Sequence, residues 1–169
     1  RVSDSPDQTC GTARIAIVHV GEIADAHGDL YPALEGTKLE SLCDAYFAQG
    51  WYKDDFADGA GIDLLYVESI ETCAAHQHKN VDLAIVRKLC DTLGSGCQLA
   101  VMPYRDPLAA GHWGRLGFSL TTPGRGTGLM HMKLGYRHAQ VIDATGTGDF
   151  EVLPTVAVHE SPTHRHMHN

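Results

Sequence analysis

The chain has 169 residues, 43% of them hydrophobic and 20% charged, with 21 acidic and 13 basic residues and a formal net charge of −8. That is one domain's worth of chain with enough apolar content for its own core, and it excludes a disordered-type composition. The acidic balance argues against a nucleic acid or an anionic membrane surface as the main partner, and no apolar run reaches the length of a bilayer span. We therefore expect one soluble, cytoplasmic domain over residues 1–169. Residues 1–13 read as a loose polar lead-in and residues 159–169 as a peripheral, His-rich tail. Five cysteines form an odd set with no Cys-x-x-Cys pair, which reads as reduced, buried thiols. The eleven histidines show no convergent ligand set, so no metal is expected.

In chain order, residues 13–23 (ARIAIVHVGEI) are β-branched and nearly continuously apolar, which predicts a buried strand. Residues 24–36 read as a turn region with a short return strand. Leu39, Leu42, Cys43, Tyr46 and Phe47 fall at i, i+3, i+4, i+7 and i+8, which predicts a helix over residues 38–49. Thr37 and Glu40 make a capping box in front of it, and Gly50 is its stop. Residues 62–70 (IDLLYVESI) predict a second strand. From Val81 the apolar positions Val81, Leu83, Ala84, Ile85, Val86, Leu89, Cys90 and Leu93 predict a well-buried helix ended by Gly94 and Gly96. CQLAVMPY is a strand stopped by Pro103, and LAAGHWGRLG a short helix closed by Gly117. FSLTT and LMHMKL are strands around the turn PGRGTG, residues 123–128. One or two short strand pieces follow Gly135.

Strand, helix, strand implies parallel neighbours, and the final hairpin adds antiparallel strands. The expected fold class is α+β, an α/β three-layer arrangement with a mixed, mostly antiparallel sheet and helices against it.

Three pieces in order, DLLYVESIET with the loop and helix HQHKNVDLAIVRKLCDTL, then GCQLAVMP, then HWGRLGFSL, resemble the GCN5-related N-acetyltransferase (GNAT) superfamily over residues 62–134. The resemblance implies a central parallel strand pair that splays apart, with acetyl-CoA or another acyl-CoA lying in the opening as co-substrate. It implies an amine acceptor, a small molecule or a peptide. It also places the pyrophosphate on backbone N–H groups at the N-terminus of the helix that starts at Val81. Free donors and the positive dipole end make that position an anion site on physical grounds as well.

On the family's loop pattern, Arg/Gln-x-x-Gly-x-Gly/Ala, the residues Gln77, His78, Lys79, Asn80, Val81 and Asp82 are the implied cofactor-binding segment. Asn80 stands for the first glycine, and asparagine tolerates a left-handed turn. Asp82 stands for the second small residue. At an effective dielectric near 20, two like charges about 4 Å apart repel by about 4 kcal/mol, roughly three decades in affinity. Two readings stay open. In one, backbone donors and Lys79 hold the pyrophosphate with Asp82 turned away. In the other, Asp82 is a helix-start residue of a fold without CoA.

By resemblance, Glu68 is the implied general base, sharing a strand face with Tyr66 and Leu64. Ser69 and Ile70 are implied to offer main-chain contacts to the acyl carbonyl. The family's tyrosine acid falls at Trp113, whose indole cannot donate a proton, so Trp113 becomes a cofactor contact and Tyr104 and His112 the acid candidates. Three functions follow in order: an acyl-CoA-dependent N-acyltransferase; a GNAT-fold protein that has lost CoA chemistry and uses the cleft otherwise; a non-catalytic interaction module.

Overall fold

The computed structural model describes residues 10–121 and 128–155. The elements are β1 (Gly11–Val18), α1 (Val20–His27), α2 (Tyr31–Leu34), α3 (Glu40–Tyr46), β2 (Phe47–Ala48), β3 (Trp51–Tyr52), β4 (Asp63–Thr72), α4 (Val81–Thr92), β5 (Cys97–Pro103), α5 (Pro107–Gly114), β6 (Ser119–Leu120), β7 (Leu129–Lys133), β8 (Gln140–Ile142) and β9 (Glu151–Leu153).

The main sheet has the order β1-β4-β5-β7-β6. Among the described residues only β4 and β5 run parallel; the other pairings are antiparallel. Helices cover both faces, so β5 is apolar along nearly its whole length, as a strand with no solvent face must be. On one face Leu64, Tyr66, Leu99 and Val101 meet Leu30, Leu34, Leu42 and Tyr46 from the α1–α3 side. On the other, Leu65, Val67, Ala100 and Met102 meet Leu83, Val86 and Cys90 of α4. This is the expected α+β, three-layer class, compatible with a GNAT-like fold.

The parallel register runs from Asp63↔Cys97 to Tyr66↔Val101. Beyond it β4 continues to Thr72 against β1, and β5 continues to Pro103 against β7. The two strands therefore part company after Tyr66. On the β1 side, just past this point, Ile15 faces Val67 and Arg14 faces Ser69, so Glu68 has no residue opposite it. A residue inserted in this way bends the strand that carries it.

Several boundaries differ from the sequence expectations. The first strand ends at Val18, and Val20 with Ile23 belongs to α1, where i, i+3 spacing turns both toward the core. The expected return strand over residues 24–36 is the end of α1, the left-handed stop Gly28 and α2. The lead-in is shorter than expected, since Gly11 already pairs with Thr72; residues 1–9 lie outside the described part. The helix expected over 38–49 ends at Tyr46. Gln49 and Gly50, both at positive φ, form a tight two-residue turn into β3. A side chain at Gly50 would collide with the Gly28 carbonyl. The expected capping box does not form: α3 starts at Glu40 with Leu39 at its N-cap and no side-chain cap, while in the turn before it Thr37 Oγ1 accepts the Leu39 N–H at 3.1 Å and Glu40 accepts the Gly36 N–H at 2.8 Å. The turn residues 122–127 and the His-rich tail lie outside the described residues. Cys43, Cys90 and Cys97 are buried as expected, whereas Cys10 and Cys73 are exposed.

Candidate functional site

The head of α4 is built by Asn80, which caps the helix with φ 53° and ψ 26°. A left-handed asparagine does there what the expected glycine would do. Its side chain is tied on both sides. The amide nitrogen donates to the Phe150 carbonyl at 2.6 Å, and its oxygen accepts from Arg115 at 2.8 Å. The Phe150 N–H in turn donates to the Lys79 carbonyl at 2.9 Å. The segment after β8 thus folds back onto the loop before α4, and a cavity of about 420 Å³ opens between Asn80, Arg115, Asp149 and this segment.

Asp82 sits in the first turn of α4. One oxygen accepts the Leu83 N–H at 2.9 Å, and the other lies 2.6 Å from His112 Nε2 on α5. Burial by itself would push the carboxyl pKa up. The His112 hydrogen bond and charge and the Leu83 N–H outweigh it and hold the carboxyl below its ordinary value. Asp82 is therefore ionised at neutral pH. It supplies, from within the chain, a negative charge at the helix N-terminus where an outside anion would be drawn. The same bond fastens α4 to α5.

On the opposite face of the sheet, the unopposed residue Glu68 reaches Lys38 at 2.7 Å. This hydrogen bond is the main cause that holds its carboxyl below the ordinary glutamate value. Glu68 keeps the expected company of Tyr66, whose phenol is pushed up first by burial and then by the Glu68 charge. A low pKa makes Glu68 a weaker proton acceptor than a base tuned near neutrality. Behind it runs a buried chain: Tyr46 Oη to Thr121 Oγ1 at 2.6 Å, then Thr121 Oγ1 to His131 Nδ1 at 2.9 Å. Burial and, after it, the Lys133 charge push the His131 imidazole down.

The structure thus gathers Asn80, Asp82 and His112 in one cluster and places Glu68 in another, across the sheet. Ser69 and Ile70 lie on β4 beyond the point where it leaves β5, paired with Arg14 and Ala13. Val81 is buried, while Gln77 and His78 are exposed and Lys79 half-buried. Trp113 packs against the α4-side core, with its ring edge-on to His112 at 5.0 Å. That contact gives it a packing role. Tyr104 follows β5, packs against the same core, and takes the Gly128 carbonyl through its N–H. Sequence reasoning missed Lys38, Arg115 and Phe150. Their partners lie 30, 35 and 70 residues away in the chain, and no local pattern announces such contacts.

No family model matches the chain, and neither a curated protein nor a solved structure shows significant similarity to it. The class is therefore set by architecture: an α+β domain with one parallel strand pair that diverges beside a helix N-terminus. Among the described residues, no helix is long and apolar enough to cross a membrane.

Proposed function

We propose that this chain is an acyl-CoA-dependent N-acyltransferase of the GNAT type. The reading rests on the divergence of β4 from β5 after Tyr66↔Val101, which opens directly beside the left-handed turn at the head of α4. A strand edge released in this way can take an extended arm such as pantetheine as an added strand. Arg115 beside Asn80 offers a cation for the phosphate end. In the transfer, the amine nitrogen bonds to the acyl carbon, the carbon–sulfur bond breaks, and the thiolate leaves. The ammonium proton goes to Glu68 or to water, and Tyr104 is the freer donor for the thiolate because His112 is engaged with Asp82. The acyl group is acetyl or longer, and the acceptor is a small-molecule or peptide amine. The reading assumes a cytoplasmic setting in which Cys43, Cys90 and Cys97 stay reduced.

The Asp82–His112 pair favours a second reading, in which the cleft no longer takes CoA and serves another small molecule. Calorimetric titration with acetyl-CoA and CoA separates the two. Micromolar binding by the wild type supports acyl transfer. Binding that emerges only in Asp82→Gly supports the second reading. Silence in both proteins removes CoA from the account.

A further inference from the structure

A cavity of about 640 Å³ lies at the far end of the sheet from the divergence, where β4 and β5 begin. Its walls come from Ala60–Gly61, the C-terminal half of α4, the start of β5 and residues 134–142. The size suits a small-molecule site, about 300–1,000 Å³ in most proteins.

Two polar atoms in this wall are enclosed and have no hydrogen-bond partner among the described residues: Arg87 Nη1 and His138 Nε2. Buried polar atoms are nearly always partnered; Tyr52 Oη, His76 Nδ1 and Gln98 Oε1 share this state, but only Arg87 and His138 belong to the wall of this cavity. Arg87 is 14% exposed, and its Nη2 is held by Asp91 one turn on. The guanidinium therefore presents a fixed edge instead of a mobile one. The main chain at Leu134 and Lys133 favours the protonated His138 imidazole, and Nε2 has no partner among the described residues. The remaining wall mixes polar and apolar groups: Ser95, Tyr136 and Gln140 beside Leu134, Ala139, Val141, Ile142 and the thiols Cys90 and Cys97. Burial is the leading cause that pushes those thiols up, to about 12 and about 11, so both stay protonated.

We propose that this cavity is a second ligand site that takes a small monocarboxylate with an apolar tail, its carboxylate between Arg87 and His138. Asp91 already satisfies one edge of Arg87, so one further negative charge completes the set. A phosphate dianion would meet Asp91 as well and be repelled. Burial and then the Arg87 charge push the His138 imidazole below its ordinary value, and Asp91 works against them. The other charged or titratable neighbours in this part of the chain are Lys133 on β7, the adjoining Arg137, and His131, which share a smaller cavity with His138. A bound carboxylate cancels the Arg87 repulsion, so His138 takes up a proton on binding. Affinity then rises as pH falls below about 6.5, by at most about tenfold per pH unit for one proton.

The test is a calorimetric titration of the full chain with sodium hexanoate at pH 6 and pH 8, with inorganic phosphate as the second arm. It is accompanied by the side-chain ¹⁵N resonance of His138 Nε2. We expect hexanoate to bind more tightly at pH 6, with proton uptake and a shifted Nε2 resonance, and phosphate to bind at least tenfold more weakly. Arg87→Lys, which keeps the charge beside Asp91, should lose affinity severalfold, and Arg87→Gln at least tenfold. His138→Asn should keep part of the affinity and lose its pH dependence. An Nε2 resonance unmoved by about 10 mM hexanoate in the wild type, which needs no variant to fold, overturns the proposal. So does equal binding by Arg87→Gln, or phosphate binding as tightly as hexanoate.

Discussion

At its N-terminal end α4 carries Asn80 and Asp82, and both ends of each polar side chain are engaged: with Phe150 and Arg115 for one, with Leu83 and His112 for the other. A turn further along, the same helix carries Arg87, which holds Asp91 on one nitrogen and leaves the other enclosed and unpartnered, as is His138 Nε2 across the cavity. The end where an anion is expected on general grounds has been filled from within the chain. Further along lie the unsatisfied Arg87 Nη1 and His138 Nε2, although His76 Nδ1, in the loop before α4, has no partner among the described residues either. A helix N-terminus draws an anion most strongly while its donors are free, and here Asp82 already engages the Leu83 N–H and adds its own negative charge.

The largest effect should come from a change that both ends share. Leu83 is fully buried beneath the first turn of α4. Leu83→Ala should cost about 2–5 kcal/mol, read by urea unfolding. A loss well under 1 kcal/mol would mean that α4 is not anchored by this core and that its two ends need no common frame.

Next comes the Asp82–His112 pair. Its side chains are 25% and 36% exposed, so a double-mutant cycle with Asp82→Ala and His112→Ala should give a coupling of about 1 kcal/mol, below the range of buried charged hydrogen bonds because solvent screens the pair. Zero coupling would remove the fastening from the N-terminal end and, with it, the contrast drawn above. At Asn80, the left-handed backbone should make Asn80→Ala cost about 1–2 kcal/mol. Asn80→Gly should cost less, because it loses the Phe150 and Arg115 bonds but relieves the strain. Thermal midpoints of the two variants, measured together, separate strain from bonding.

The two ends should also answer to different pH ranges. His138 has a lowered pKa in the fold, so the unfolded chain binds the proton better, and stability falls as pH drops through about 6.5 toward the lower folded value. His131 contributes in the same direction. Asp82, also lowered, contributes stability that is present above its ordinary 3.8 and lost below it. Unfolding midpoints from pH 8 to pH 3 should therefore show an upper step that His138→Asn reduces and a lower step that Asp82→Asn reduces. A single step untouched by either variant would contradict this division. The smallest effect is expected from Arg115→Ala, about 0.5 kcal/mol, because the residue is exposed and its bond to Asn80 competes with water.

Much of the frame was legible in the chain. Val81 to Thr92 as a helix, Cys97 to Pro103 as a strand and the antiparallel approach of LMHMKL all stand as read, because long periodic apolar segments carry their own signal. The left-handed turn at Asn80 was legible too, since few residues accept that conformation. The errors cluster over residues 19–50. There the apolar residues fit a strand or a helix equally well, and burial against the α1–α3 side of the sheet decided for short helices. The unformed capping box and the hairpin at Gln49–Gly50 belong to the same stretch, where short elements carry too few residues for a period to show.

By itself, then, the sequence determined which segments are helix or strand in the second half, the parallel pair joined by α4, and the presence of a carboxylate at the head of that helix. All of these depend on neighbours within a turn or two. The direction of that carboxylate, toward His112 30 residues away, was decided only by tertiary packing. So were the bulge at Glu68, the end of the β4–β5 pairing after Tyr66, and the meeting of Arg87 with His138 around a cavity. Hydrogen bonds and charges act over a few ångströms of space, and the chain brings such groups together only after its core has set where each element lies.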